Sequence, residues 1–575
     1  MELPTAPDVA TPPRQFVPPG FDPEQVPAIE EAVSRLLRRP ITSPAHLASY
    51  LNDWSEVSSL VSGAHARRGS ASHRETSNTA AKERLRRFQT EVWPAWENLQ
   101  DSLNRRFLES PHRAGLPADL EVFVRNKETE ARIFREENTR LAGEEQQRVT
   151  EWEGVQGATL VPFEGRDLTR EQCVAILLDP DRARREGAFL ALVRRRARDR
   201  ARIDAIFDAL LDLRGRSARN AGFDDYIGFR FAQLLRFDYT RQECVQFHAA
   251  VEEVVSPLAS ELRDVRRRRL GVPTLRPYDM NVSLLGRGAA PLFGDQPQLV
   301  GLARRLFRSV DPRFDAEFDI LVRNGLLDLM SRPGKAPGGY NWGVEDIRLP
   351  FIFANAVGSP RDLQVLLHEG GHAFHTIASR ELPLVDDRSS PTEFAEVASM
   401  GMELLAMEQM PAVFDPATAR ALEAENLEGI ILSFGRIAQI DAFQHWIYEH
   451  PGHSPDERRA KWVELGLRFS PGLDWSGLLE YAADGWQAVP HFFAHPLYYI
   501  EYGIAQLGAI QLWRNYRRDP RAAVEAYRSA LRLGGTRPLP ELFRAAGLRF
   551  AMDASIFREV VPLAMERLRT LLAAG

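Results

Sequence analysis

"VLLHEGGHAFH", residues 365–375, is the stretch on which the reading of this chain turns. His368 and His372 stand four apart, and Glu369 follows the first directly. On an α-helix, positions i and i+4 lie one above the other on one face, about one turn apart. Two imidazoles so placed can converge on one tetrahedral metal ion, and the glutamate beside them can reach a water held there. The rival is a buried helix that happens to be rich in histidine. A helix start is well marked: Ser359 suits the N-cap, Pro360 the first helical position, and Asp362 follows three residues after the cap.

A catalytic ion needs a third protein ligand and an open position. "SSPTEFAEVASMGMELLAMEQM" (389–410) supplies the candidates. Thr392 can cap a helix carrying Glu393, Glu396, Glu403 and Glu408. Glu396 and Glu403 are seven apart and share a face with Ser399. Ala395, Ala398, Ser399 and Gly401 permit close backbone approach. Glu396 is assigned as the third ligand, and Glu403 as the acceptor of a histidine N–H. A lone glutamate is ordinarily a solvated charge; here Phe394, Val397, Met400 and Leu404 surround the pair. His375 also falls on the histidine face, but about 10 Å of helix rise beyond His368. It is read as a supporting or packing residue.

The chain has 575 residues, with 44% hydrophobic and 26% charged residues, ordinary values for a globular protein. A net charge of −6 gives no reason to expect nucleic acid or an anionic membrane as partner. Lysine occurs only at Lys82, Lys127, Lys335 and Lys461; the remaining basic residues are arginine. "DRARREGAFLALVRRRARDRARID" (181–204) and "VRRRRL" (265–270) are arginine-rich. Acids are interleaved, so solvated faces laced with ion pairs are favoured over a nucleic-acid surface. Cys173 and Cys244 lie far apart in no CxxC pattern, which argues against a disulfide framework and a cysteine zinc site and suits a reducing, cytoplasmic setting. The first 21 residues, rich in proline, read as an extended arm and not as a secretory signal. Residues 492–513 are apolar but carry His495, Glu501 and three tyrosines, so they read as one buried helix rather than a membrane span.

Most of the chain shows helical periodicity. The exception is "RPGKAPGGYNWGVEDIRLPFIFANAVG" (332–358), with Gly and Pro punctuation before a strand-like apolar run. Lys335 is followed by alanine, so the loop is no phosphate-binding motif. Its glycines suit a mobile loop closing over a ligand. "FIFANAVG" reads as an edge strand able to pair with an extended peptide.

"HEGGHAFH", followed at this distance by "TEFAEVASMGMELL", resembles the M3 family of zinc oligopeptidases, in its oligoendopeptidase F branch. "GKAPGGYNW" (334–342), "FANAVG" (353–358), "HFFAHPLYYIEYGIAQLGAIQLW" (491–513) and "GGTRPLPELFRAAG" (534–547) agree in order. The resemblance covers roughly residues 330–550; the N-terminal third shares only helical character. It implies a mainly α fold of the HExxH gluzincin type, two helical halves enclosing a deep channel, and a small β-sheet near the zinc. The organisation expected is an arm at 1–21, an N-terminal helical domain at 22–200 and a catalytic zinc peptidase domain at 201–575. One Zn2+ per chain is implied, with His368, His372 and Glu396 at the family's ligand positions and Glu369 as general base. The implied substrates are short unstructured peptides, with no nucleic-acid or membrane partner, in a monomer or weak homo-oligomer. His491 matches a histidine that holds substrate or intermediate. Tyr499 and Tyr502 match its tyrosines best, as i and i+3 on one helical face, and could donate to an oxyanion; Tyr498 is a rival. Gly338, Gly339 and Tyr340 in the loop, with Ala354, Asn355 and Ala356 in the strand, are candidate substrate contacts. Asn341 stands where relatives often carry cysteine.

The expected function is therefore a zinc-dependent endopeptidase of short peptides. A peptidyl-dipeptidase or carboxypeptidase on the same scaffold is the rival enzyme. A helical binding protein with a structural metal is the rival outside enzymes. Gly370 and Gly371 each cost roughly 1 kcal/mol against alanine in a helix interior. They are expected to leave room for a neighbouring helix and a substrate backbone.

Overall fold

A computed structural model describes residues 3–4, 7–11, 13–285 and 291–574. The chain is mainly helical, with five short strands among the described residues. In chain order the elements used below are α1 (Pro44–Arg74), β1 (Leu160–Phe163), β2 (Arg166–Thr169), α2 (Arg241–Ala250), α3 (Gln296–Val310), β3 (Leu327–Met330), β4 (Tyr340–Val344), β5 (Leu349–Ala356), α4 (Pro360–Ser379), α5 (Thr392–Met407), α6 (Pro416–Glu449) and α7 (Ile500–Arg518). Other helices are named by their range.

Two compact units are each assembled from three stretches of chain. The first takes residues 1–134, 289–419 and 508–550, and the second 135–288, 420–507 and 551–575. The division expected near residue 200 falls inside the second unit.

In the first unit, the helices before residue 134 bury Trp54, Trp96, Phe107 and Phe123 in one apolar cluster that Leu384 also joins. A three-stranded sheet has the order β3-β5-β4, with β3 parallel and β4 antiparallel to β5. β5 is thus the central strand, not the edge expected from its sequence. Its near-continuous apolar run reflects burial on both faces, which composition cannot distinguish from an edge position. The glycine-rich loop is likewise pinned rather than loose. Lys335 Nζ donates to Asp328 Oδ1 at 2.8 Å and to the Met330 carbonyl at 3.0 Å, and Asn355 Nδ2 donates to the Ala336 and Gly338 carbonyls at 2.8 Å.

α4 begins as its sequence announces. Ser359 Oγ accepts from the Asp362 N–H while the Asp362 carboxylate accepts from the Ser359 N–H, a reciprocal capping box with Pro360 in the first turn. α5 starts differently: Pro391, extended at φ −49° and ψ 138°, is the cap residue, and Thr392 is already helical with no capping role. Proline's locked φ sets the entry to the helix without a side-chain acceptor.

α4 packs on β5 and on α5. A Cβ at Gly371 would lie 2.4 Å from the Ala398 carbonyl oxygen and 2.6 Å from the Ser399 Cα, so the two backbones touch here. Gly370 has a different reason. A Cβ there would meet the Phe307 ring of α3 at 2.5 Å, so the neighbour is core rather than substrate. α5 is held on its other sides too. Tyr527 donates to the Ala398 carbonyl at 2.6 Å, and Gly508 and Gly401 let α7 come close to Val397 and bring Leu512 in. The glycine pair of "GGTRPLPELF" abuts the loop before α5: Gly535 N–H donates to the Asp387 carbonyl at 2.7 Å.

The 492–513 stretch is not one helix. A short helix, Pro490–Phe493, is followed by a turn, and α7 begins only at Ile500. Leu497 in this turn has φ +61°, a left-handed conformation costing a leucine about 1–2 kcal/mol. Polar contacts hold it there. The Leu497 N–H donates to Gln444 Oε1 at 2.6 Å, Arg236 donates to the Leu497 carbonyl at 2.9 Å, and Arg230 to the Pro496 carbonyl at 3.2 Å. Arg214 and the arginines of 265–270 are used the same way. Arg214, fully buried, donates to Phe492 O at 2.8 Å; Arg266 pairs with Glu428 at 2.6 Å; Arg267 and Arg268 pair with Asp264. Arginine here closes the fold on itself.

The Gly371 contact predicts an asymmetry between two identical substitutions. Gly371→Ala meets backbone that cannot yield cheaply and should lower the melting temperature by several degrees. Gly143→Ala, in the Glu136–Gly157 helix with nothing within 4 Å of the added carbon, should raise it slightly. Thermal denaturation followed by circular dichroism reads both.

Candidate metal centre

The α4–α5 contact brings His368, His372 and Glu396 into one group, with ligand atoms all within 4.8 Å of one another. His368 Nε2 is 3.4 Å and His372 Nε2 3.7 Å from the same oxygen, Glu396 Oε2. The two imidazoles are nearly perpendicular, 85° between planes at 4.9 Å between centroids. An ion bound tetrahedrally at 2.0–2.1 Å separates its ligand atoms by about 3.3–3.5 Å. One observed separation matches that edge and the other exceeds it by 0.2 Å, so the residues fit a divalent ion such as zinc after a small closure.

Supporting contacts fix each ligand's direction. His368 Nδ1 donates to Glu403 Oε1 at 2.7 Å, which leaves Nε2 facing Glu396. Glu403 is itself held by Gln364 Nε2 at 2.7 Å. Ser399 Oγ donates to Glu396 Oε2 at 3.0 Å. Gln364 and the Ser399 bond were not assigned from sequence, although Gln364 is i−4 from His368 and its position could have pointed to it. His375 is not one of the group: it is buried, packs edge-to-face on Phe394 at 6.0 Å, and its Nε2 has no hydrogen-bond partner among the described residues.

Charge is concentrated here. Burial pushes the Glu369 carboxyl up to about 7; the nearby Glu396 and Glu403 push the same way, against His368 and a backbone hydrogen bond from Asn341. Burial also depresses His368, but the Glu403 hydrogen bond and the charges of Glu403, Glu396 and Glu369 outweigh it and raise His368 to about 9. Burial lowers His372 to about 4 and His375 to about 3. Three carboxylates beside two imidazoles make a setting that favours a cation. Glu369, 7% exposed, also has its backbone carbonyl bound by Asn341 Nδ2 at 3.2 Å, which ties α4 to β4.

The other candidates have surroundings of their own. Tyr340 stacks on Phe353 at 4.9 Å, and its hydroxyl lies 3.0 Å from His73 Nδ1. Gly338 and Gly339 are exposed; Ala354 and Ala356 are buried in β5. In the second unit, His491 sits among Tyr498, Tyr499 and Tyr502, with ring centroids at 5.9, 4.7 and 5.8 Å. Tyr499 immediately precedes α7, and its ring still meets that of Tyr502 edge-to-face at 5.3 Å. Among the described residues, no helix is long and apolar enough to cross a membrane.

The model of peptidase family M3 matches residues 175–287 and 310–561. An oligoendopeptidase F homolog of Borreliella burgdorferi is 26% identical over 253 residues, 42% of either chain. Oligopeptidase PepF of Bacillus subtilis is 22% identical over 55% of this chain and 49% of its own. The chain thus matches about half the length of these curated relatives. A solved structure of Pz peptidase A with an inhibitor superposes with a TM-score of 0.89 at 25% identity, covering 96% of this chain and 98% of that one.

The protonation states give a sign for metal uptake. His368 keeps its proton up to about pH 9, whereas His372 is neutral above about pH 4. A metal ligand must be deprotonated, so between about pH 7, above which Glu369 is ionised, and pH 9 an entering ion displaces about one proton, that of His368. Apparent Zn2+ affinity should rise about tenfold per pH unit over this window and level off above it. Calorimetry in buffers of different ionisation enthalpy counts the proton. Glu403→Ala should weaken Zn2+ binding by about 10–100-fold.

Proposed function

The chain belongs to peptidase family M3, and on that premise we propose that it is a zinc-dependent oligoendopeptidase acting on internal bonds of short, unstructured peptides. One observation carries the reading: two histidines and a glutamate from α4 and α5 converge at the spacing of a tetrahedral ion, beside a buried glutamate poised near neutrality. The names of the relatives support peptides as substrates.

His368, His372 and Glu396 would hold the ion. Bound there, zinc would polarise the scissile carbonyl and make water acidic enough to attack near neutral pH. Glu369 takes the proton of the attacking water and delivers one to the departing amine. Burial raises its carboxyl above the usual carboxylate range, which makes it a better base than an exposed glutamate. Glu403 keeps the His368 ring turned so that Nε2 faces Glu396, and Ser399 holds the Glu396 carboxylate. The outer strand of the sheet next to α4 is β4, and its edge is proposed to pair with the extended peptide backbone, in the place first expected of β5. Backbone pairing supplies affinity with little reading of side chains, which suits broad specificity. Two buried cysteines that form no disulfide suit a cytoplasmic setting.

Glu369→Gln is expected to keep its zinc and lose about 10²–10⁴-fold in kcat. Undiminished turnover with metal bound would overturn the assignment of the base. A peptide amidated at its C-terminus should be cut as well as the free acid; loss of cleavage on amidation would favour the dipeptidase or carboxypeptidase reading.

A further inference from the structure

The second unit holds another group of metal-binding side chains. "ECVQFHA" (243–249) places Cys244 and His248 four apart on α2, and "DAFQHW" (441–446) places Asp441 and His445 four apart on α6. Each helix therefore presents an i, i+4 pair, the same spacing that sets His368 above His372. Cys244 Sγ, an Asp441 oxygen and a His445 ring nitrogen all lie within 4.8 Å of one another. The exposures of Cys244, His248, Asp441 and His445 are 0%, 5%, 0% and 4%.

Two features set this group apart from an ordinary buried hydrogen-bond network. Among the described residues, neither ring nitrogen of His445 has a hydrogen-bond partner, and neither has Asp441 Oδ1. Buried polar atoms are almost always paired, and an imidazole beside a carboxylate normally donates to it. Here His445 Nε2 stands 3.5 Å from Asp441 Oδ2 without forming that bond. That separation is the edge expected between two ligands of one tetrahedral ion, about 3.3–3.5 Å. The other Asp441 contact is short: His248 Nε2 lies 2.8 Å from Oδ2 and fixes the carboxylate. The rings of His248 and His445 meet edge-to-face at 5.9 Å.

We propose that Cys244, Asp441 and His445 form a second metal site, one that takes a divalent ion of zinc's class and clasps α2 to α6, with His248 as the positioning residue for Asp441. A sulfur, an oxygen and a nitrogen donor together favour a borderline-soft transition ion over calcium or magnesium. The site stands independently of the peptidase reading, since it shares no residue with the His368, His372 and Glu396 group. It also revises the expectation from cysteine spacing. The partners of Cys244 come from a helix distant in sequence, where no CxxC pattern could announce them.

The test uses the full chain carrying His368→Ala and His372→Ala, which disables the first group. Loaded with Zn2+ and dialysed, it should retain about one ion per chain by mass spectrometry of the metal. Adding Cys244→Ser and His445→Ala should abolish that ion, and His248→Ala should weaken its binding by about 10–100-fold. Wild-type protein loaded with Co2+ should show a near-ultraviolet thiolate-to-metal band. Cys244→Ser should remove this band and Cys173→Ser should keep it, because Cys173 donates to the Ala188 carbonyl elsewhere in the unit. No retained ion in the His368/His372 variant, or no thiolate band in the cobalt-loaded wild type, overturns the proposal. The wild-type spectrum decides even if a Cys244 variant fails to fold.

Discussion

At Gly371 the backbone of α4 lies against the backbone of α5, so close that a single added carbon would overlap the Ala398 carbonyl oxygen. That steric contact governs the first unit. It sets the separation between the helices that carry His368 and His372 on one side and Glu396 and Glu403 on the other. The surroundings enforce the contact from behind: Phe307 fills the space beside Gly370, Tyr527 hydrogen-bonds Ala398, and α7 closes on α5 through Gly401 and Gly508. The ring orientation, the ligand spacing and the charge around Glu369 all follow from this one approach of two helices.

Burial then converts geometry into chemistry. Removing Glu369 from water raises its carboxyl to about 7, and the carboxylates of Glu396 and Glu403 add to that rise. The same surroundings divide the two histidines: the one that gains Glu403 holds its proton more tightly, and the one without that partner loses it. An ion entering the group therefore replaces one proton and relieves the crowding of three carboxylates.

How much of this was legible in the sequence depended on the range of the interaction. The start of α4 was readable because its capping box is closed within four residues. The pairing of His368 with His372 was readable because helical periodicity alone decides it. Glu396 and Glu403 could be singled out because their apolar neighbours made a solvent-facing helix implausible. Long-range packing hid the rest. Gly370 answers to Phe307 on α3, which no local pattern announces. β5 reads as an edge or a centre equally well until β3 and β4 are seen on either side. Tyr499 falls outside α7 because Arg230, Arg236 and Gln444 stabilise a left-handed leucine, and the arginines lie far upstream. Composition did foresee that the basic runs would be laced with acids, but not that Arg214 and Arg266 would be buried.

On this reading α4 and α5 together make one metal site. Anomalous scattering at the zinc absorption edge, from crystals of the zinc-loaded protein, tests it most directly. A peak is expected about 2.0–2.2 Å from His368 Nε2, His372 Nε2 and a Glu396 oxygen, with the His368–Glu403 hydrogen bond intact. A crystal in which those three residues carry no peak, or in which His368 binds through Nδ1 after losing Glu403, would contradict it.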